Sequence, residues 1–147
     1  MGDAVAVELV DVEPGDERLV GDLLPVLLEL RPHLTAASFP ATYERGYGQG
    51  LRYLAAYVGG ACVGVAGWRL LHTTSAGRKL YVDDLVTSSA HRSAGVGRAL
   101  LAELEARARA AGCTVLDLDS GTHRHDAHRF YHRESLTIRA FHFAKPL

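Results

Sequence analysis

Hydrophobic and polar residues follow two different periods along the chain, and each change of period separates one predicted element from the next. Alternation with a period of two predicts strands, and apolar residues that recur every three or four positions predict helices. The pattern predicts strands at 5–12, 51–58, 61–71, 79–87, 114–119 and 136–144, and helices at 16–30, 38–46, 97–111 and from 122 to about 132. Pro25 lies inside the first helix, where it predicts a kink or a second helix start.

The order of these elements predicts an α/β fold around one mixed sheet. Gly59 and Gly60 separate two apolar runs, which is typical of a hairpin, and the polar turn at 72–78 leads into a third antiparallel strand. The strand, helix and strand from 79 to 119 form a crossover, so the two strands of that unit should be parallel. No repeat or linker interrupts the chain, and we expect a single domain over residues 1–147.

Composition and charge narrow the expected partners. The chain is 48% hydrophobic and 22% charged, which is ordinary for a soluble globular protein. Its formal net charge of −1 produces no electrostatic attraction to nucleic acid or to an anionic membrane, so we expect neither as a partner. The N-terminal residues contain no basic region followed by an apolar core, and we expect a cytoplasmic protein. Cys62 and Cys113 match no disulfide framework and no CxxC metal motif, and we predict two buried free thiols.

The segment from Arg92 to Ala99 connects the predicted central strand to the long helix, and it contains Gly95 and Gly97. A glycine-rich turn before a helix can bind phosphate, because free backbone N–H groups point outward there and the helix dipole adds partial positive charge. A Walker A loop is excluded, because no lysine follows either glycine. The dinucleotide fingerprint lacks its third glycine, since Leu100 stands there, and three antiparallel strands precede it. A tight turn that only caps the helix remains the alternative without a ligand.

Residues 92–97, Arg-Ser-Ala-Gly-Val-Gly, resemble the R/Q-x-x-G-x-G/A signature of the GNAT superfamily of N-acetyltransferases, which binds the pyrophosphate of acetyl-CoA. The strand end at 84–87 and the helical segment at 127–131 match further parts of the family pattern, and so does the order of elements. The resemblance implies a GNAT-like fold, in which a mostly antiparallel mixed sheet has a splayed parallel strand pair and flanking helices. It also implies an acyltransferase that moves an acetyl group from acetyl-CoA directly to a primary amine of a small molecule, a protein or a peptide.

The resemblance also implies where acetyl-CoA is held. In such proteins the strand that ends here at Thr87 carries a bulge and splays from the next parallel strand, so that pantetheine lies in the gap. The expected pantetheine contacts are Leu85, Val86 and Thr87. The backbone N–H near Val86 or Thr87 could also polarise the acetyl carbonyl. The expected pyrophosphate contacts are Arg92, Ser93, Ala94, Gly95, Val96, Gly97, Arg98 and Ala99.

Three residues are candidates for the chemistry of transfer. Tyr131 aligns with a family tyrosine that often protonates the leaving sulfur, although it could instead be a core aromatic beside Phe130. A free alkylamine needs a base at neutral pH, and Asp83 and Asp84 lie near the expected position of the acetyl group. Strand alternation predicts that the two carboxylates lie on opposite faces, so at most one of them faces the cleft. Either could equally bond a neighbouring loop.

The chain departs from the family pattern at two places. Arg124 stands where an asparagine often contacts the pantetheine arm, and Ser135-Leu136 stands where a Gly-Phe pair often follows the tyrosine helix. Homodimers that form through the C-terminal strand are common in the family, and Phe141 and Phe143 would suit one.

Two further classes of function stay open at this stage. A domain that keeps the loop but lacks productive chemistry would be a non-catalytic acyl-CoA-binding sensor. His128 and His132 are four residues apart and could bind a metal from one helix face, but no third ligand follows at a characteristic spacing, so we predict no metal site. The sequence does not identify the amine acceptor.

Overall fold

A computed structural model describes residues 6–92 and 94–147 of the chain. Five strands form one sheet in their chain order: β1 (Glu8–Val12), β2 (Arg52–Val58), β3 (Ala61–Thr73), β4 (Gly77–Thr87) and β5 (Val115–Leu118). Neighbouring strands are antiparallel from β1 to β4, and β5 is parallel to β4. The predicted mixed α/β sheet is therefore confirmed.

Helices cover both faces of this sheet. A π-helical turn at Leu19–Leu23 leads directly into α1 (Leu24–Leu27), and the change from π to α geometry occurs beside Pro25, which has no N–H to donate. The remaining helices are α2 (Ser38–Tyr47), α3 (Val96–Ala110) and α4 (His125–Arg133). One apolar core lies between the sheet and the helices at 19–47, and a second core lies between the sheet and α3. We call these two sides of the sheet the α1 face and the α3 face.

The predicted C-terminal strand at 136–144 is wrong. Residues 136–147 form neither helix nor strand, and Phe141 and Phe143 are 85% and 90% exposed. The segment keeps its apolar alternation, but a strand also requires pairing with a neighbouring strand, and the segment pairs with none of the five described strands. The predicted first strand begins later than expected, at Glu8, and Val5 lies outside the described residues.

Strand β4 contains a bulge at Asp83. Val82 pairs with Trp68 and Asp84 pairs with Gly67, so that Asp83 has no residue opposite it in β3. A bulge inserts one extra residue, so alternation no longer relates the side chains before it to those after it. The bulge that the family resemblance implied is present in this strand.

Candidate active site

Strands β4 and β5 separate where the candidate site forms. They pair only from Lys79–Val82 to Val115–Leu118. β4 then continues to Thr87 and remains paired with β3, while its other edge, at 83–87, faces no strand within the described sheet. Such an edge presents free N–H and C=O groups to a ligand that can pair as a strand would. The residues predicted to hold pantetheine, Leu85, Val86 and Thr87, all lie on this stretch.

A cleft of about 170 Å³ opens at this separation. Its apolar lining comes from the two strands, through Val82, Leu85 and Leu118, and from Leu30 after α1. Its charged and polar lining comes from six side chains, those of Arg31, Asp83, Asp119, His123, Arg124 and Tyr131. The cleft therefore brings together three residues predicted from the sequence (Asp83, Leu85 and Tyr131), and it adds Asp119 and Arg31.

The bulge turns both candidate carboxylates toward the α1 face, and the prediction that they lie on opposite faces is wrong. Asp84 accepts a hydrogen bond of 2.7 Å from the hydroxyl of Tyr53, which belongs to the core on the α1 face. Asp83 is bound by Arg69, which lies on the same face. Arg69 is beside Gly50, which follows α2, because a Cβ added to Gly50 would lie 3.8 Å from the Arg69 Cβ. The extra residue at position 83 shifts the alternation, so neighbouring side chains share one face.

Both carboxylates are already paired with arginine. Arg69 donates from Nε and Nη2 to the two oxygens of Asp83, each at 2.9 Å. Arg31 donates from Nε to Asp84 Oδ1 at 2.9 Å and from Nη2 to the Asp83 carbonyl at 3.1 Å. Burial, followed by the nearby Asp84 carboxylate, raises the pKa of Tyr53, which keeps its hydroxyl protonated as a donor. The network fixes the bulge in place.

Tyr131 lies on α4 and faces the cleft from the other side of the sheet. Its ring packs against the core on the α3 face, beside Phe130 at a centroid distance of 5.6 Å, and its side chain lines the cleft. Burial raises the pKa of the Tyr131 hydroxyl, and the Arg124 guanidinium beside it opposes part of that increase. The hydroxyl therefore stays protonated at neutral pH and can donate a proton or a hydrogen bond into the cleft.

The glycine-rich loop caps the N-terminus of α3. Gly95 is the residue before the helix and has a φ of +80°, a left-handed conformation that favours glycine. The first N–H groups of α3 have no acceptor within the helix, because its ladder begins where the Ala99 N–H donates to the Gly95 carbonyl. A Cβ added to Gly95 would meet no atom within 4 Å, so the loop is open on this side.

Gly97 serves packing, unlike Gly95. A Cβ at this position would lie 3.3 Å from Phe130 Cζ and 3.4 Å from Thr87 Oγ1. The contact holds the start of α3 against the end of β4 and against α4, which brings the predicted pyrophosphate and pantetheine regions together. Arg92 and Arg98 are exposed at the loop, and Arg98 Nε lies 3.9 Å from Glu134. Ser93 lies outside the described residues.

Sequence reasoning missed Asp119 and Arg31. Asp119 follows β5 directly, and because Val82 pairs with Leu118 it lies level with Asp83 across the gap. The predicted parallel strand pair contained this signal, since the carboxyl ends of parallel strands meet at one edge of a sheet. Arg31 has no comparable signal, because a loop residue reaches the site only through the packing of α1.

Neither His128 nor Cys62 lines the cleft. His128 Nε2 lies 2.8 Å from the Gly121 carbonyl, and the described residues contain no group of three or more His, Cys, Asp or Glu arranged to hold a metal ion. Burial raises the pKa of the half-buried Cys62 thiol to about 11, so it is a poor nucleophile at neutral pH. None of the described helices has the length and apolar character needed to span a bilayer.

Comparison with known proteins gives one family. A model of the acetyltransferase (GNAT) family matches residues 23–135. The uncharacterized N-acetyltransferase YhdJ of Bacillus subtilis is 43% identical over 72 residues, which are 48% of this chain and 51% of that protein. An aminoalkylphosphonate N-acetyltransferase of Salmonella typhimurium is 39% identical over 66 residues, 45% of this chain and 43% of that protein. The chain thus spans about half the length of the curated relatives it matches.

A solved structure with the same fold covers nearly the whole chain. It is AAC(6')-Iy in complex with a bisubstrate analogue, CoA-S-monomethyl-acetylneamine, with a TM-score of 0.80 and 14% identity. The match covers 97% of this chain and 99% of that one, and it shows that the two share a fold.

Proposed function

The chain belongs to the acetyltransferase (GNAT) family of acyltransferases, and we propose that it is an acetyl-CoA-dependent N-acetyltransferase that moves an acetyl group directly to a primary amine. The observation that carries this proposal is the cleft at the separation of β4 and β5, with Tyr131 on its wall and the open glycine loop at the end of β4. The whole chain from 1 to 147 would act as one domain, in the cytoplasm, where its two free thiols would stay reduced.

Two regions of the chain suit two parts of acetyl-CoA, the pantetheine arm and the pyrophosphate. The free edge at Leu85, Val86 and Thr87 offers strand-like hydrogen bonds to the amides of pantetheine. The first N–H groups of α3, in the segment from Arg92 to Ala99, offer donors to the pyrophosphate, and the Arg92 and Arg98 side chains add positive charge. Bound acetyl-CoA supplies an activated acetyl group, and the structural neighbour that binds a CoA derivative has the same fold.

We assign Tyr131 the role of proton donor to the leaving sulfur. The raised pKa of its hydroxyl keeps the proton in place at neutral pH, and the side chain already lines the cleft in which the thioester would lie. A base role for Asp83 or Asp84 remains a prediction from the sequence. Proton transfer to either would break a charge-assisted pair with Arg69 or Arg31, which weighs against both.

The acceptor that suits the cleft is a small molecule that carries an amine and an anionic group. Arg31 and Arg124 line the same cleft as Asp119, so side chains of both signs face one ligand. The Salmonella relative is named for aminoalkylphosphonates, which have this chemistry. The cleft is also smaller than most sites for extended ligands, which favours a small acceptor over a protein.

Release of free CoA thiol tests the proposal. We expect acetyl-CoA to bind by calorimetry, and thiol release to require an amine from a panel that includes aminoethylphosphonate, an aminoglycoside and an alanine-ended peptide. Aminoethylphosphonate should give the highest kcat/KM. Binding of acetyl-CoA without thiol release on any amine would favour the non-catalytic sensor, and absence of binding would refute both functions.

We also propose a homodimer formed through the C-terminal segment 136–144. β5 is the edge strand of the sheet, and the same chain carries an exposed segment with strand-like alternation beside it, since His142 Nδ1 lies 3.7 Å from Asp119. Two copies could exchange these segments about a twofold axis, which would cover both edges and close the assembly.

Replacing Phe141 and Phe143 with aspartate should convert this dimer to a monomer in sedimentation equilibrium. Burial of each phenylalanine contributes about 2 kcal/mol, so the double variant should dissociate at least about a thousandfold more readily. Val20→Asp is the matched control, because Val20 is also an exposed apolar residue, at 38%, but it lies in the π-helical turn at Leu19–Leu23 and not in the C-terminal segment. A wild-type monomer at all concentrations would contradict the proposal.

A further inference from the structure

Asp119 differs from the other two carboxylates near the cleft. Asp83 and Asp84 are each bound by an arginine, and Asp84 is only 11% exposed. Asp119 Oδ2 accepts a hydrogen bond of 2.7 Å from the Tyr81 hydroxyl, and the side chain is 50% exposed. His142 Nδ1 lies 3.7 Å from its other oxygen, Oδ1, and this contact is an ion pair only when the imidazole is protonated. Asp119 is therefore held in one orientation without being neutralised by an arginine.

The position of Asp119 matches that of an acceptor-binding group. Leu118 packs against the core on the α3 face, so the next side chain along the chain points to the α1 face. Tyr131 packs against the α3 face, and both residues line the same cleft. The carboxylate and the phenol thus approach the cleft from opposite faces of the sheet, at the level where β4 and β5 separate.

We propose that Asp119 is the catalytic residue that binds the ammonium group of the acceptor and takes its proton. The inference rests on the proposed acetyltransferase function and deepens it. The ammonium gives one proton to Asp119 Oδ1, which frees the nitrogen lone pair. That pair forms the bond to the acetyl carbon as the bond from this carbon to sulfur breaks, and the electrons of the broken bond leave with sulfur.

The protons balance over the reaction. Sulfur takes a proton from the Tyr131 hydroxyl, and the second proton that nitrogen loses on forming the amide restores that hydroxyl. Asp119 returns its own proton to solvent, through its exposed side. The net change converts an ammonium and a thioester into an amide, a thiol and one released proton.

Several charged or titratable groups surround Asp119, and they come from every neighbouring element. Tyr81 and Asp83 come from β4, and the Asp83 carboxylate is paired with Arg69. His142 comes from the C-terminal segment and Arg31 from the turn after α1. His123 and Arg124 come from the loop between β5 and α4. Burial, followed by the hydrogen bond to Asp119, raises the pKa of Tyr81, so the hydroxyl stays a donor and leaves Asp119 as the acceptor of the pair.

Asp119→Asn tests the inference through a pH readout. General-base removal typically costs about a hundredfold or more, so we expect kcat/KM for aminoethylphosphonate at pH 7 to fall by about a hundredfold. An alkylamine has a pKa of about 10, so raising the pH to about 9.5 supplies neutral amine and should shrink the deficit to less than about tenfold. The calorimetric Kd of acetyl-CoA should stay within about twofold of the wild-type value, and Asp119→Glu should recover part of the activity.

Asp117→Asn is the matched control. Asp117 lies two residues earlier in the chain, pairs with Lys79 at 2.9 Å and does not line the cleft. We expect its variant to match the wild type at both pH values. An Asp119→Asn deficit that is absent, or equally large at both pH values, would overturn the assignment. If the wild type itself releases no thiol, the proposed acetyltransferase function fails. If the wild type releases thiol and Asp119→Asn releases it equally fast, only the role of Asp119 fails.

Discussion

Valine at position 95 is expected to weaken acetyl-CoA binding by about a hundredfold, because the left-handed cap of α3 must change to accommodate it. Gly95 has a φ of +80°, which a β-branched residue adopts only under strain. A shift of this residue also redirects the first free N–H groups of α3. Hydrogen bonds to a charged group contribute about 1.5–3 kcal/mol each, so loss of one or two accounts for the expected change in Kd. Calorimetric titration with acetyl-CoA measures it.

Gly112→Val at the other end of the same helix is the matched control. Gly112 also has a left-handed φ, of +74°, and a Cβ there would likewise meet no atom within 4 Å. Both variants should therefore lose similar stability in urea unfolding, while only Gly95→Val should lose affinity. Equal losses of affinity in the two variants would trace the effect to folding, and normal binding by a folded Gly95→Val protein would remove the loop as the pyrophosphate site.

The parts of the fold that local sequence determines were predictable. Gly59 and Gly60 have φ values of +57° and +82°, the pair of positive angles that a tight hairpin requires, and the β2–β3 hairpin forms at this point. The glycine loop before α3 was predictable for the same reason, since the cap at Gly95 needs a residue without a Cβ. In each case one or two residues decide the backbone.

The parts that depend on a partner strand were not predictable. The bulge at Asp83 exists because Val82 and Asp84 pair with consecutive residues of β3, and that register is a property of two strands together. The alternation of apolar residues in the C-terminal segment predicts a strand, but it does not identify the strand with which the segment would pair. Asp119 became a candidate only when the pairing of β4 with β5 placed it level with the bulge.

The two faces of the sheet supply different groups to the candidate site. The α3 face supplies the glycine loop and the Tyr131 hydroxyl, which suit the donor. The α1 face supplies Arg31 and Asp119, which suit a charged acceptor. Tyr131 from one face and Arg31 and Asp119 from the other line the same cleft, at the point where β4 and β5 separate.

Replacing Tyr131 with phenylalanine should lower kcat by about a thousandfold while the calorimetric Kd of acetyl-CoA stays within about twofold. The substitution removes the hydroxyl but keeps the ring that packs beside Phe130, so the cleft wall remains. Because burial raises the pKa of Tyr131, the wild-type enzyme should also keep its proton donor up to a pH above the ordinary tyrosine value of about 10. Steady-state thiol release across pH measures both effects.

Tyr57→Phe separates the loss of a proton donor from the loss of any buried hydroxyl. Tyr57 is also buried, and its hydroxyl donates to Asp22 at 2.7 Å on the α1 face, away from the cleft. Its variant should lose about 1 kcal/mol of unfolding free energy with the hydrogen bond and should keep the wild-type kcat. If Tyr131→Phe also turns over at the wild-type rate, sulfur leaves as the thiolate or takes its proton from water, and Tyr131 only packs the cleft wall. A fall in kcat for Tyr131→Phe alone would instead tie the protonation of sulfur to that one hydroxyl.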